Sequence, residues 1–242
     1  MSFTEIINLL HFQMPLPWLL LSLITWAALV ALGAFLTPRP MLWLHVARWV
    51  LVPYLGILAG GISPSLMGLT NIDWLVSLGV GIALFLSMVI AMLVVRLALN
   101  WALSEQGTAR SEAKPTWANL PETDRGTRAL RPLIDGAEQF HWSFLRAGIW
   151  EIALVASFAL SLPAYWSISL ATAVVVPEIL LQRLGFLATL MKLTILIMTA
   201  VLFFYTRNFW LCWLLHALST RLLNLTSQSS RQVLAPRKIS QL

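Results

Sequence analysis

Four side chains in the second half of the chain have the types and spacing that acid-base chemistry needs. Glu138 and His141 are three residues apart, so they share one face of a helix. A carboxylate beside an imidazole could activate a water molecule. His216 and Thr220 are four residues apart and also share a face. We therefore expect two facing helices that could form one polar site.

His216 lies near the middle of the apolar stretch FWLCWLLHALSTRLLN at 209–224. An ionisable side chain at membrane depth costs several kcal/mol unless it faces protein or water, so it is a candidate functional residue. A purely structural histidine, hydrogen-bonded to a neighbouring helix without a ligand, is an equally good interpretation. Similarly, Glu138 could be a structural carboxylate that is stabilised by the helix dipole at a helix start. His141 beside Trp142 could lie at the membrane interface.

The composition places these residues in a membrane protein. Hydrophobic residues make up 59% of the 242 residues, charged residues 11%, and the mean hydropathy is +0.80. That leaves too little polar surface for a soluble globule. Residues 1–15 contain no Lys or Arg, so we expect a retained N-terminus rather than a signal peptide. The single cysteine, Cys212, excludes an internal disulfide.

Apolar runs of about 20 residues are long enough to cross the hydrocarbon core of a bilayer. The expected fold class is therefore all-α, a polytopic transmembrane helical bundle with about seven spans. The expected spans are 16–36, 41–61, 74–97, 143–162, 164–182, 185–205 and 208–225. Residues 1–12 have the apolar spacing of an interfacial helix that lies on the membrane surface.

A polar stretch rich in Gly and Pro divides the chain into two groups of spans. Residues 1–97 would hold the interfacial helix and three spans, and residues 98–137 a polar cytoplasmic loop. Residues 138–225 would form a four-helix core, followed by a basic tail at 226–242.

The distribution of Lys and Arg predicts the orientation. Arg39 and Arg48 mark the first connection, 62–73 has neither residue type, and 98–142 holds five; Arg207 alone breaks the alternation. Positive loops stay cytoplasmic, which predicts the N-terminus outside and the C-terminus inside. The expected location is a bacterial cytoplasmic membrane. The formal net charge of +6 is scattered among loops, which favours anchoring at an anionic leaflet and no nucleic-acid partner.

Two segments resemble the CPBP family, the CAAX-protease and bacteriocin-processing membrane proteins. They are AEQFHWSFLRAG at 137–148 and LFFYTRNFWLCWLLHALSTRLLN at 202–224, and the resemblance covers about the last 110 residues. The resemblance implies a CPBP-like fold in the C-terminal half. It also implies a site at which glutamate activates water for peptide hydrolysis, while histidines and an asparagine position the water or stabilise the oxyanion.

Several positions depart from the family motifs. In EExxxR, Glu138 matches the first Glu, while Gln139 and Ser143 replace the second Glu and the Arg. In HxxxN, His216 matches and Thr220 replaces the Asn; in FxxxH, Leu162 stands where the second His should be. If the protein is active, the resemblance implies Glu138, His141, His216 and Thr220 as its catalytic residues. His141 would be a relocated imidazole, and Arg146 a substitute arginine at another helical angle.

Two functions fit this pattern. The preferred hypothesis is a non-catalytic, degenerate CPBP-like protein, a structural or assembly subunit of a membrane complex, because acid-base chemistry fails without its orienting groups. The alternative is an intramembrane glutamate-dependent peptidase that processes a membrane-associated peptide. The expected partners are the lipid bilayer and other membrane subunits.

No metal and no cofactor is predicted, and no residue is assigned to a cofactor. Pigment binding stays open as a third option, because a neutral histidine at membrane depth can ligate the metal of a macrocycle. Its candidates are His11, His45, His141 and His216. The remaining intramembrane acids, Glu151 and Glu178, are expected to pair with basic residues across helices. The expected basic partners are Arg146, Arg183 and Lys192.

Overall fold

The computed structural model describes residues 12–33, 35–105, 125–155, 161–182, 184 and 186–233. Across these residues the chain forms seven α-helices and no strand, which confirms the all-α prediction. In chain order the helices are α1 (Pro15–Leu32), α2 (Pro38–Leu58), α3 (Trp74–Glu105), α4 (Arg125–Val155), α5 (Pro163–Leu180), α6 (Phe186–Thr206) and α7 (Phe209–Val233).

Local sequence explains where several helices begin. Helices α1, α2 and α5 each have a proline in their first turn, where the missing N–H would have no intrahelical partner. The Asp73 carboxylate accepts hydrogen bonds from the backbone N–H groups of Leu75 and Val76, both at 3.1 Å, and caps α3. Asn208 caps α7 in the same way, with its Oδ1 3.2 Å from the backbone N of Leu211.

Within the described residues, five helices are long and apolar enough to cross a membrane: α1, α2, α3, α5 and α6. The protein is therefore an integral membrane protein. Helices α4 and α7 do not belong to this set, because they carry the polar side chains of the predicted site. The count of seven spans thus stays a prediction, and so does the orientation.

Burial is distributed as a lipid environment requires. The charged side chains of Arg48, Glu138 and Arg146 are 5%, 2% and 1% exposed, whereas Leu75 is 85% and Ile82 59% exposed. In water this arrangement would be unfavourable, because charges would be desolvated while apolar surface stayed hydrated. In a bilayer the apolar exterior meets lipid and the charges face one another inside the bundle.

Helix α4 is at the centre of the bundle and positions the polar site. It contacts α1, α2, α5 and α7, and its residues 134–148 are buried apart from the half-buried Phe140. Phe144, Leu145 and Ala147 pack into the largest apolar cluster, which also contains Trp18 of α1 and Val175 of α5. The polar side chains of α4 lie on another part of its surface, and the surrounding helices shield their charges from lipid.

The predicted loop at 98–137 differs from the structure at both ends. Helix α3 continues to Glu105, and α4 already begins at Arg125. Gly126 and Pro132 suggested a break in the helix, but α4 continues through both. Pro132 removes only one backbone hydrogen bond, and burial of the following turns stabilises the helix.

The chain termini overlap only partly with the predicted segments. The predicted interfacial helix at 1–12 lies outside the described residues, except for Phe12. Helix α7 extends to Val233, so the first part of the predicted tail at 226–242 is helical. The rest of that tail lies outside the described residues.

Candidate functional site

Glu138 is an ion-paired residue at the centre of the bundle. Its Oε1 lies 2.7 Å from Nζ of Lys192, which α6 supplies from across the bundle. The same ammonium donates a hydrogen bond to Oε1 of Gln182 at 2.8 Å. Lys192 therefore provides the positive charge that the arginine of the family motif would have supplied.

His216 approaches Glu138 from α7. Its Nε2 lies 3.9 Å from Oε2 of Glu138 and 4.0 Å from Oδ1 of Asp135. These distances exceed a direct hydrogen bond, but one water molecule could bridge them. The imidazole also stacks on Trp142, with ring centroids 5.0 Å apart and an interplanar angle of 15°. The structure thus brings Glu138 and His216 together on facing helices.

Thr220 is close to this pair but points its hydroxyl elsewhere. Its Oγ1 donates a hydrogen bond to the backbone O of His216 at 3.0 Å, the common i−4 bond of a helical threonine. The asparagine that the family motif has at this position carries two amide donors. A threonine hydroxyl has a single proton, so Thr220 offers at most one donor where the asparagine would offer two, and this hydroxyl also lies close to the Asp135 carboxylate.

His141 belongs to a second polar cluster rather than to the Glu138 and His216 pair. It is fully buried within the bundle. Its Nε2 is 3.4 Å from Oε1 of Glu178 and 3.3 Å from Nη2 of Arg48. Although Glu138 and His141 share a face of α4, they serve different partners.

Arg48 of α2 binds the Glu178 carboxylate of α5 with both terminal nitrogens. The Nη2–Oε2 distance is 2.7 Å and the Nη1–Oε1 distance is 3.2 Å, and both side chains are at most 5% exposed. Nη1 is also 3.3 Å from the backbone O of Ser22 in α1. The prediction that Glu178 pairs with Arg146, Arg183 or Lys192 is therefore wrong.

Arg48 was also misplaced as a marker of the first loop. It lies inside α2 and is 5% exposed, because its charge is used within the bundle. It therefore gives no information on which side of the membrane the first connection lies. Glu151, the other acid expected to pair with a basic residue, accepts a hydrogen bond from the backbone N of Ser63 at 3.1 Å and forms no ion pair among the described residues.

Asp135 is a member of the site that sequence reasoning missed. It is 1% exposed, and its Oδ1 lies 3.0 Å from Nε of Arg131, one helical turn away. Asp135 falls within 98–137, the range expected to be a polar loop. Extending the helix of Glu138 back by one turn would have found it, because positions 135 and 138 share a face.

Every buried carboxylate among the described residues forms an ion pair. Each of Asp135, Glu138 and Glu178 has its own cation at 2.7 to 3.0 Å, namely Arg131, Lys192 and Arg48. Among the described residues, no group of three His, Cys, Asp or Glu side chains is arranged to hold a metal ion. The arrangement is that of an ion-pair network that joins α2, α4, α5 and α6.

Among the described residues, neither Leu162 nor His45 forms a hydrogen bond or an ion pair with this network. Leu162, at the position of the FxxxH histidine, is 70% exposed in the left-handed conformation (φ 64°) before α5. The ring of His45 lies 5.8 Å from that of Trp49, and its Nδ1 has no hydrogen-bond partner among the described residues. His11 and Phe158 lie outside the described residues.

An apolar groove of about 380 Å³ runs between α2, α4 and α7. It lies on a different side of α4 from the Glu138 carboxylate. Its lining includes Trp43, Val46, Phe140 and Trp213, and neither Glu138 nor His216 contributes to it. A peptide in this groove would therefore not meet the Glu138 carboxylate.

No protein-family model, no curated protein sequence and no solved structure matches this chain. The likeness to the CPBP family therefore depends on the motif residues alone.

Proposed function

We propose that this integral membrane protein is a non-catalytic, CPBP-like bundle of seven spans that acts as a structural or assembly subunit of a membrane complex. The observation that carries the proposal is the pairing of each buried carboxylate with its own cation. A general base must be free to accept a proton from water. Glu138 instead neutralises Lys192 at 2.7 Å, and Lys192 is in turn held by Gln182.

Two further observations support this proposal. Thr220 has one hydroxyl proton and lies 3.0 Å from the backbone O of His216, so the α7 side of the site offers an oxyanion fewer donors than the family's asparagine would. The central position of α4, enclosed by α1, α2, α5 and α7, favours its crossing the membrane despite its charges.

The test distinguishes two roles of Glu138, as the ion-pair partner of Lys192 and as a general base. In a strain lacking the protein, Glu138→Gln alone leaves Lys192 unpaired, and we expect lower abundance and weaker complementation. The double variant Glu138→Gln, Lys192→Gln removes both charges and should recover abundance and function. A double variant that is abundant but inactive would overturn the proposal.

A matched control is Glu178→Gln, which unpairs a different buried cation, Arg48, without touching Glu138. A structural role predicts that Glu178→Gln and Glu138→Gln have similar effects. Isolation of the native protein in mild detergent should then give a stoichiometric complex with other membrane proteins. Recovery of the functional protein alone, free of any other subunit, would contradict the assembly role.

A second candidate is the intramembrane glutamate-dependent peptidase. It is favoured by the 3.9 Å separation of Glu138 Oε2 and His216 Nε2, which leaves room for one bridging water. In this case Glu138→Gln would abolish function without reducing abundance, and an uncut precursor would accumulate. Removing Lys192 as well would not restore activity, because the base would still be absent.

A further inference from the structure

Arg146 is a buried cation that takes no part in the ion-pair network. It projects from the middle of α4 and is 1% exposed. Its Nη2 lies 3.4 Å from the hydroxyl of Thr199, and its Cζ is 5.3 Å from the centroid of the Phe203 ring. None of the ion pairs formed by the described residues includes Arg146.

A guanidinium inside a membrane bundle needs a compensating negative charge. Burying a charge without a partner is far more costly than burying an ion pair, and an arginine does not lose its proton to escape that cost. A long hydrogen bond to one hydroxyl and one aromatic face compensate only part of it. By contrast, the buried Arg48 and the partly buried Lys192 each have a carboxylate at 2.7 Å.

Two further polar residues lie on the same stripe of α4 as Arg146. Gln139, Ser143 and Arg146 follow at four and three residues, the spacing of one helical face. Gln139 and Ser143 are 0% exposed. Nε2 and Oε1 of Gln139, Oγ of Ser143 and Nη1 of Arg146 have no hydrogen-bond partner among the described residues. The stripe therefore combines a cation with neutral donors that lack acceptors.

The nearby thiol does not supply the counter-charge. Sγ of Cys212 lies 3.5 Å from the backbone O of Thr199, to which it donates a hydrogen bond. A thiol that donates is protonated and neutral. A carboxylate from another protein could not reach the stripe either, because all three of its side chains are buried within this one chain.

We propose that Arg146, Gln139 and Ser143 bind a small monovalent anion of the size of chloride. A charge of one balances the guanidinium, and the amide and hydroxyl donors replace the hydration shell of the ion. The burial of the stripe favours a monatomic ion over a phosphate group. The anion would act as a structural ligand that stabilises α4 against α6 and α7.

The experiment measures the melting temperature of the purified full chain in detergent. Chloride is exchanged for gluconate at constant ionic strength. Binding to the folded state alone should give a saturable rise of about 5 °C in chloride. Bromide should act like chloride. A melting temperature that is the same in chloride and gluconate would overturn the proposal.

Two variants locate the effect. Ser143→Asp places a carboxylate three residues before Arg146, so the protein should become as stable in gluconate as in chloride. The control Arg131→Gln removes a cation that already has Asp135 as its partner, so it should keep the full chloride effect. If Ser143→Asp also keeps the full chloride effect, the anion does not bind at this stripe.

Direct measurement of chloride binding to the wild-type chain does not depend on whether a variant folds. The wild-type chain should bind one radioactive chloride ion per chain, and unlabelled bromide should displace it. Arg146→Gln should weaken this binding at least tenfold. No saturable chloride binding by the folded wild type would refute the proposal.

Discussion

Arg48 and Glu178 form a two-point ion pair inside the bundle, although they are 130 positions apart in the chain. Arg48 also donates a hydrogen bond to the backbone O of Ser22, so one guanidinium connects α1, α2 and α5. Neither side chain can reach water from this position. Their mutual contact therefore fixes how these three helices are arranged around α4.

We expect Arg48→Met to lower the free energy of unfolding by about 3 to 5 kcal/mol, because it leaves the Glu178 carboxylate buried and unpaired. Unfolding of the purified protein in mixed micelles, followed by circular dichroism, measures this change. Arg48→Met combined with Glu178→Leu should recover much of the loss. A double variant less stable than either single variant would show that the pair is not the source of the effect.

The control for this experiment is Arg131→Met. Arg131 also binds a carboxylate, but its side chain is 39% exposed. We therefore expect its loss to cost less than that of Arg48. An equal loss in the two variants would contradict the argument that burial makes the Arg48 pair important.

A second prediction concerns the close approach of α4 and α7 at Gly136. A Cβ at this position would lie 2.7 Å from Nε1 of Trp213, whose N–H donates a hydrogen bond to the backbone O of Pro132 at 2.8 Å. Gly136→Ala should therefore displace the indole and lower stability by about 1 to 3 kcal/mol. Thermal unfolding with tryptophan fluorescence would report both effects.

Gly79→Ala is the matched control for this prediction. It is also a helical glycine, but nothing lies within 4 Å of an added Cβ. Alanine there should be neutral or stabilise the helix by up to about 1 kcal/mol. If both alanine variants lost the same stability, crowding against Trp213 would not be the cause.

Parts of this arrangement could be predicted from the sequence, because they depend on patterns among residues that are close together in the chain. Apolar runs indicated the membrane helices, and helical spacing placed Glu138 and His216 on the stripes of α4 and α7 that meet. Asp135 was missed because Pro132 and Gly126 suggested a loop there.

Arg48 shows why the remainder could not be predicted. It lies inside the expected span 41–61, where the sequence pattern gives it no partner, and only the three-dimensional structure shows that its partner is Glu178. The pairing of Lys192 with Glu138 could not be predicted for the same reason. Helical periodicity gives the face of a residue but not the helix that the face meets.

A third prediction tests whether α4 crosses the membrane. With seven spans, cysteines introduced at Thr37 and Leu162 should react with an impermeant maleimide from opposite sides, because α2, α3 and α4 separate them. If α4 did not cross, both would react from the same side. The native Cys212 is 0% exposed, so the unmodified chain should give little background. Cysteines at Ser2 and Gln241 should also label from opposite sides, which then requires α7 to cross as well.

The last prediction concerns the coupling between Glu138 and His216. Their facing atoms are 3.9 Å apart, and both side chains are buried, so each is part of the environment of the other. Glu138→Gln and His216→Ala should each lower stability, and the double variant should differ from the sum of the two by about 0.5 to 3 kcal/mol. Unfolding of the four proteins in one detergent gives this coupling energy.

The comparison cycle pairs Glu138→Gln with Glu151→Gln, since Glu151 instead accepts a hydrogen bond from the backbone N of Ser63. Additive effects in the first cycle would mean that Glu138 and His216 are neighbours without a shared interaction, and both the scaffold and the peptidase interpretations of this pair would lose their basis.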